Sequence, residues 1–234
     1  MQQTGATPKE CVILVHGYGG LTPASIMKPS MEISMARKLR REGYEVLTTS
    51  YFSRLKDMDA IVARIHQQIE PFLEAHPDGA VHFVGHSMGG RVIARYLQKH
   101  PLDREGRVVM LGTPNQGHFL AEKKLLQKIG GDVVRQMEPS RPPVPIEGRE
   151  VGVIAGEGNP LLYSLLGGDA EPSDGVVSVR STHLAGAAHR VIETDHVHML
   201  FNEEVFAEML SFLKTGDFSP SSGLPPCGVK GRDV

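Results

Sequence analysis

Residues 85 to 90 could carry out nucleophilic chemistry. They read Gly-His-Ser-Met-Gly-Gly and lie between the strand-like run VHFV and the helix-like run RVIARYLQKH. A strand that passes into a helix through one residue strains that residue, which is tolerated when residues two positions away have no side chains. Gly85 and Gly89 meet this requirement. We therefore predict that Ser87 projects its hydroxyl at a helix N-terminus, whose partial positive charge favours a developing anion.

The elements that would position this serine follow one repeating order. Short apolar runs alternate with stretches of 3.6-residue apolar periodicity, and several runs are apolar at nearly every residue. This pattern is typical of parallel strands covered by helices on both faces, so the predicted fold class is α/β. Predicted strands span 11–15, 44–49, 80–85, 107–112, 151–155 and 188–193, and predicted helices span 30–41, 57–75, 89–99 and 203–214.

Two of these helices carry further expectations. Pro71 is expected to kink or end the helix over 57–75 early, because a proline inside a helix removes a hydrogen bond and clashes with the preceding turn. In the helix over 203–214, the apolar residues expected to face inward are Val205, Phe206, Met209, Leu210 and Leu213.

Composition favours one soluble globular domain over residues 1–216. The chain has 234 residues, 40% of them hydrophobic and 22% charged, with a formal charge of -2 and no block of like charges. We therefore expect no nucleic-acid partner, and we expect a monomer because a chain of this length can bury a core of its own. No run reaches the roughly 18 apolar residues of a membrane span, and the N-terminus shows no export signal, which favours the cytoplasm. Cys11 and Cys227 suggest neither a disulfide framework nor a metal site.

Two segments differ from the repeating order. Residues 116–148 combine an amphipathic stretch, Leu120 to Ile129, with a proline-rich stretch over 140–145. They could form a small cap over the site or an ordinary crossover helix with a stiff loop. Residues 217–234 are rich in Gly, Pro and Ser and are expected to be a disordered tail.

Four segments besides the serine turn carry a family resemblance. They are HGYGG at 16–20, LGTPNQG at 111–117, DGVV at 174–177 and DH at 195–196. With them the chain resembles the α/β-hydrolase superfamily, and in particular its small bacterial lipases and esterases with little or no lid. The resemblance covers residues 11–214. It implies a mainly parallel sheet of about six strands with a minimal or small cap.

A serine hydroxyl is a weak nucleophile that needs a base and an acid to orient the base. In this fold the chain order is Ser, acid, His. Ser87, Asp174 and His196 satisfy that order, and the resemblance favours His196 because it precedes an apolar dipeptide and a final helix. His198 and Asp169 remain alternatives for the base and the acid.

The oxyanion of the tetrahedral intermediate requires fixed hydrogen-bond donors. The backbone N–H of Met88 is one donor, because it belongs to the residue after the nucleophile. The resemblance implies that the second donor is the backbone N–H of Tyr18.

The resulting hypothesis is a serine carboxylic-ester hydrolase, an esterase or lipase that acts on a small-molecule ester or lipid through an acyl-enzyme. It requires neither a metal nor an organic cofactor. A thioesterase or an acyltransferase is the alternative within acyl chemistry, and a non-catalytic binding protein on the same scaffold is the alternative outside it.

Two other readings of the motifs are weaker. The turn at 16–20 lacks the third glycine of a dinucleotide-binding fingerprint, since that position is Thr22. His189, His196 and His198 could suggest metal ligands, but no second cluster of suitable spacing accompanies them.

Overall fold

The computed structural model describes residues 8–17, 32–51, 57–122, 134–140 and 143–220. Within these ranges, six strands form one sheet in the order β2-β1-β3-β4-β5-β6, and every neighbouring pair is parallel. The strands are β1 Cys11–Val15, β2 Glu45–Thr48, β3 Val81–His86, β4 Val108–Leu111, β5 Val151–Gly156 and β6 Ala188–Ile192. This sheet confirms the predicted α/β class and the expected strand number.

Helices connect the strands and lie on both faces of the sheet. In chain order they are α1 Arg37–Arg41, α2 Met58–Ala75, α3 Met88–Lys99, α4 Pro160–Leu165, α5 Val179–Thr182 and α6 Glu203–Thr215. A π-helical turn, Glu32–Ala36, precedes α1, and two 3-10 turns span Phe119–Glu122 and His198–Leu200. The first two residues of the helix predicted over 30–41 lie outside the described residues.

Two apolar cores sandwich the sheet because successive side chains of a strand point to opposite faces. Ile13 and Val15 of β1 pack in the core that contains residues of α2 and α3. Val12 and Leu14 pack in the opposite core, with residues of α1 and α6. All five residues of β1 are fully buried, as the unbroken apolar run CVILV indicates.

Two helix details differ from the sequence expectations. Helix α2 continues through Pro71 to Ala75, so the expectation that it ends early is wrong. Pro71 is exposed, which leaves the carbonyl group that lost its helical donor on the solvent side. In α6, Val205, Met209 and Leu213 are buried as expected, and Phe206 and Leu210 are partly buried against the same core. Phe212, which periodicity did not select, is buried as well.

The two irregular segments are described only in part. Of residues 116–148, residues 123–133 and 141–142 lie outside the described ranges, and so does most of the amphipathic stretch Leu120 to Ile129. At the other end, Phe218 packs on Phe212 with ring centroids 5.0 Å apart, so the start of the expected tail contacts the domain. Residues 221–234 lie outside the described residues. In the part of the chain that is described, no helix has the length and apolar character needed to cross a membrane.

Candidate active site

Ser87 occupies the strained turn between β3 and α3. Its φ is 55° and its ψ is -129°, and it is the one described residue other than glycine with a positive φ. The backbone around it is held on two sides. Its N–H donates to the Leu111 carbonyl at 2.7 Å, and its own carbonyl accepts from the Thr113 hydroxyl at 2.8 Å. Ser87 is therefore held in a conformation that only surrounding structure can maintain.

Glycines leave the space this turn requires. A Cβ on Gly85 would lie 2.5 Å from the Gly90 nitrogen, and one on Gly89 would collide with the Val15 carbonyl oxygen. Gly17, which follows β1, serves the same purpose from the facing loop, since a Cβ there would lie 2.7 Å from Ser87 Cβ. The sequence predicted the need for Gly85 and Gly89. The contact of Gly17 with Ser87 depends on the pairing of β1 with β3, which no local pattern encodes.

His196 and Asp174 form a hydrogen-bonded pair. Nδ1 of His196 lies 2.7 Å from Oδ2 of Asp174, and the His196 backbone N–H donates to the Asp174 carbonyl at 2.9 Å. The Asp174 side chain is 1% exposed and the His196 side chain 11% exposed. Because a carboxylate oxygen only accepts, this contact places the proton on Nδ1 and leaves Nε2 as a proton acceptor.

Backbone amides satisfy the rest of the Asp174 carboxylate. Its Oδ1 accepts from the N–H groups of Val176 at 2.9 Å and Val177 at 2.7 Å. These bonds close a tight turn that aims Oδ2 at His196. The turn lies over the end of β5, where a Cβ on Gly156 would come within 2.8 Å of Asp174 Cβ. A buried carboxylate is thus fully hydrogen-bonded, as burial of a charge requires.

Because Gly112 has no side chain, it leaves space for the hydrogen bond between Asp174 and His196. It follows β4 with a φ of 55°, and a Cβ on it would lie 3.0 Å from Asp174 Oδ2 and 3.2 Å from His196 Nδ1. The sequence marked residues 111–117 as part of the resemblance without a role for this glycine. Its role becomes visible only when the loops after β4, β5 and β6 are brought together.

The alternative base, His198, and the alternative acid, Asp169, are both exposed to solvent. His198 pairs with Asp195 at 2.6 Å, and its side chain is 79% exposed. The Asp169 carboxylate is 86% exposed and lies 3.7 Å from Arg180. Among the described residues, neither side chain forms a hydrogen bond or an ion pair with His196 or Asp174. The buried hydrogen-bonded pair is therefore the one formed by Asp174 and His196.

Of the two expected oxyanion donors, Met88 and Tyr18, Met88 lies among the described residues. Met88 is the first residue of α3, directly after Ser87, so its N–H belongs to the helix turn that lacks internal acceptors. Tyr18 lies outside the described residues. The turn that leads to it is described up to Gly17: the ring of buried His16 stacks on Tyr51 at 4.1 Å, and the Tyr51 hydroxyl donates to the His16 carbonyl.

Two further histidines contact the loops of the acid and the base. Nε2 of His86 lies 2.8 Å from the His196 carbonyl oxygen, and Nε2 of His118 lies 2.6 Å from the Val176 carbonyl oxygen. Burial lowers the pKa of His86 to about 3 and also lowers the pKa of His118. Both rings are therefore neutral near pH 7 and donate through Nε2. The sequence patterns assigned no role to the side chain of His86 or to His118.

A buried arginine supports the loop after β4. Arg91 of α3 donates to the carbonyls of Pro114 at 3.1 Å and Asn115 at 2.9 Å, and burial lowers its pKa to about 10. Asn115 in turn donates to the Thr182 carbonyl at 2.8 Å. This chain of contacts ties the loop that contains Gly112 to α3 and to α5. Within the described ranges, no three His, Cys, Asp or Glu side chains come together as metal ligands would.

Comparisons with known proteins address the family of the chain. A family model described as "alpha/beta hydrolase fold" matches residues 10–139, which is more than half of the chain. None of the curated proteins matches.

Several solved structures share the fold. The mature form of the lipase BlEst2 from Bacillus licheniformis is 20% identical, with a TM-score of 0.65 over 90% of this chain and 93% of that one. A metagenomic carboxyl esterase is 18% identical, with a TM-score of 0.60 over 82% and 65% of the two chains. The thioesterase domain NocB of the nocardicin cluster is 16% identical, with a TM-score of 0.50 over 85% and 89%.

Proposed function

The chain belongs to the alpha/beta hydrolase family, and from that premise we propose that it hydrolyses carboxylic esters through an acyl-enzyme on Ser87. The observation that carries the proposal is the buried hydrogen bond of 2.7 Å between His196 and Asp174. It leaves Nε2 of His196 free to take a proton, at the sheet edge where the strained Ser87 turn lies. His196 is the proposed base and Asp174 the proposed acid.

In the acylation step, the Ser87 hydroxyl oxygen attacks the ester carbonyl carbon while Nε2 of His196 takes the hydroxyl proton. The tetrahedral intermediate collapses as the bond to the alcohol oxygen breaks, and His196 returns the proton to that oxygen. Asp174 orients His196 and stabilises the imidazolium, and two backbone amides on its other oxygen hold the carboxylate in place. The products of this step are the free alcohol and an acyl ester of Ser87.

The oxyanion of each tetrahedral intermediate would be held by backbone donors. The Met88 N–H at the start of α3 is the first proposed donor, and the Tyr18 N–H is the second. Removal of one such donor typically costs about 3 to 4 kcal/mol of transition-state stabilisation. In the second half of the cycle, water attacks the acyl-enzyme with His196 as the base, and the carboxylic acid leaves as Ser87 regains its proton.

Hydrolysis of p-nitrophenyl esters from acetate to palmitate tests this proposal. We expect turnover by the native chain and loss of at least about a thousandfold in Ser87→Ala, since the acyl-enzyme cannot form without the hydroxyl. Ser164→Ala is the matched control, because Ser164 is an exposed serine on α4 and should leave the rate unchanged. Esterase activity retained in purified Ser87→Ala would contradict the mechanism.

The chain-length profile bears on residues 116–148. A maximum at short chains would fit an open site, and a maximum at long chains would fit a cap formed by these residues over the site. If esters are not hydrolysed, acyl-CoA substrates and alcohol acceptors test the thioesterase and acyltransferase alternatives. Failure of a fluorophosphonate to label Ser87 would favour a binding role, because labelling depends on an activated serine.

A further inference from the structure

We propose that His86 is a positioning residue. It holds the base loop, residues 193–197 around His196, against β3, the strand that precedes Ser87. The inference rests on the proposed function, since it assigns a role relative to Ser87 and His196. His86 ends β3 directly before Ser87 and is 1% exposed. Its Nε2 lies 2.8 Å from the His196 carbonyl oxygen, and the two rings lie 4.8 Å apart at 42°.

The protonation of His86 follows from its surroundings. A carbonyl oxygen can only accept, so Nε2 of His86 carries a proton and donates a hydrogen bond to the His196 carbonyl oxygen. Nδ1 is buried and makes no hydrogen bond with any described residue. One ring nitrogen is thus used for the backbone of the base, and the other is buried without a partner among the described residues. Such an arrangement costs stability, which suggests a functional reason for a histidine here.

The neutral state of His86 suits this position. A positive charge 4.8 Å from the His196 ring would oppose the imidazolium that forms when His196 takes the serine proton. Burial, with His196 nearby, holds the pKa of His86 far below its usual value of 6.5. His86 can therefore donate a hydrogen bond to the base loop without adding a competing charge.

His86 makes a connection that the acid does not supply. The backbone N–H and the ring Nδ1 of His196 both bond to Asp174, so they fix the base relative to the loop after β5. The carbonyl of His196 bonds to His86, one residue from Ser87, and so fixes the base relative to the nucleophile. Proton transfer from Ser87 depends on that second relation, and displacements of about 1 Å reduce rates strongly.

Two amide variants separate positioning from packing. In His86→Gln the side-chain nitrogen is as many bonds from Cα as Nε2 of histidine, so it can still donate to the His196 carbonyl. In His86→Asn the amide is one bond shorter and cannot reach. We expect His86→Asn to lower kcat about tenfold with KM changed less than about twofold, and His86→Gln to recover most of kcat.

A spectroscopic readout reports on the base directly. The Nδ1 proton of His196, bonded to Asp174, should give a resolved low-field proton resonance in the native chain and in His86→Gln. Loosening of the base loop should broaden or remove this resonance in His86→Asn. The rate at which a fluorophosphonate labels Ser87 should fall in parallel with kcat. If His86→Asn fails to fold, His86→Ser replaces it as the test variant. The serine hydroxyl is only two bonds from Cα, so it is too short to donate to the His196 carbonyl.

Equal kcat in the native chain and His86→Asn, with an unchanged resonance, would overturn the positioning role. Equal losses in His86→Asn and His86→Gln would overturn it too, because packing and not the donor would then matter. Failure of the proposed function looks different: the native chain would neither hydrolyse esters nor be labelled. The resonance would still test the contact between His86 and His196 in that case.

Discussion

A carbon atom added at Gly112 would contact the proposed acid and the proposed base at the same time. A Cβ on Gly112 would lie 3.0 Å from Asp174 Oδ2 and 3.2 Å from His196 Nδ1, which is closer than side-chain packing allows without a shift. We expect Gly112→Ala to lower kcat about tenfold, since the methyl group would press on both atoms of the Asp174–His196 hydrogen bond and shift them by a few tenths of an ångström. Steady-state ester hydrolysis measures this effect.

Gly148 offers a matched control for that substitution. It also has a positive φ, 69°, but a Cβ on it would meet nothing within 4 Å. Gly148→Ala should therefore cost about 1 kcal/mol of folding stability through backbone strain alone and leave kcat intact. If both variants lose activity equally, strain rather than crowding of the acid and base would be the cause.

Asp174 should control the tautomer of His196. In Asp174→Asn an amide N–H can face Nδ1, which would move the imidazole proton to Nε2 and remove the acceptor for the Ser87 proton. We expect kcat to fall by a factor of order 10⁴ with folding preserved, as loss of the correct tautomer does in serine hydrolases. Asp169→Asn, at the exposed alternative acid, should retain native kcat. The reverse result would exchange the two assignments.

At the scale of elements, local pattern predicted most of the fold. Each of the six strands described lies within one or two residues of its predicted range. Four of them, β1, β3, β4 and β5, are buried along their whole length, which is why they appear as largely apolar runs. Helix α2 was predicted with nearly correct ends, but its passage through Pro71 was not, since the exposure of that turn depends on tertiary packing. The local amino-acid pattern does not indicate which side of a helix tertiary packing leaves exposed.

Much less of the candidate site could be predicted than of the fold. The serine turn and the order of Ser87, Asp174 and His196 are visible in the sequence because each is a local motif or a chain-order rule. The contacts of Gly17, Gly112 and His86 join segments up to 110 residues apart, as between His86 and His196. They follow from strand order, which amino-acid periodicity does not encode.

We expect the base to be the most heat-sensitive part of the proposed site, because its loop follows strand β6. It is the outer strand beyond β5, most of its residues are partly exposed, and Val191 is 37% exposed. The loop of His196 follows it directly, while Ser87 follows the fully buried β3. Since weakly buried segments open locally before the whole domain unfolds, we expect ester hydrolysis to be lost several degrees below the loss of helical circular dichroism.

Hydrogen exchange provides the structural control for that expectation. Amides of residues 188–196 should exchange faster than those of β1 and β3 well below the unfolding midpoint, because opening of an outer strand does not require the core to open. Coincident loss of activity and circular dichroism, with uniform exchange protection, would contradict the idea that the base loop opens first.

For the molecule as a whole, buried neutral histidine makes stability depend on pH. Burial lowers the pKa of His86 from 6.5 to about 3. Between these values the unfolded chain binds a proton that the folded chain does not, so the free energy of unfolding falls as pH falls. The loss is about 1.4 kcal/mol per pH unit, or about 2 kcal/mol from pH 6.5 to pH 5.

Urea unfolding at pH 7.5 and pH 5.0 measures this contribution. His86→Gln should lose about 2 kcal/mol less than the native chain over that interval, because the glutamine does not titrate. His198→Gln, at a histidine that is 79% exposed, should show the native pH dependence. Identical slopes for the native chain and His86→Gln would mean that His86 binds its proton equally well in the folded and the unfolded chain, which would contradict a lowered pKa in the fold.

The parallel arrangement of the sheet gives the molecule two unlike ends. Gly17, Ser87, Gly112 and His196 all follow strands and so lie beyond the carboxyl edge, whereas the loop with exposed Asp103 precedes β4 at the opposite edge. A chain immobilised on a solid support through a cysteine placed at Asp103 would therefore present the proposed site to the solution. Attachment near Val197, beside the base, would turn the same site toward the support.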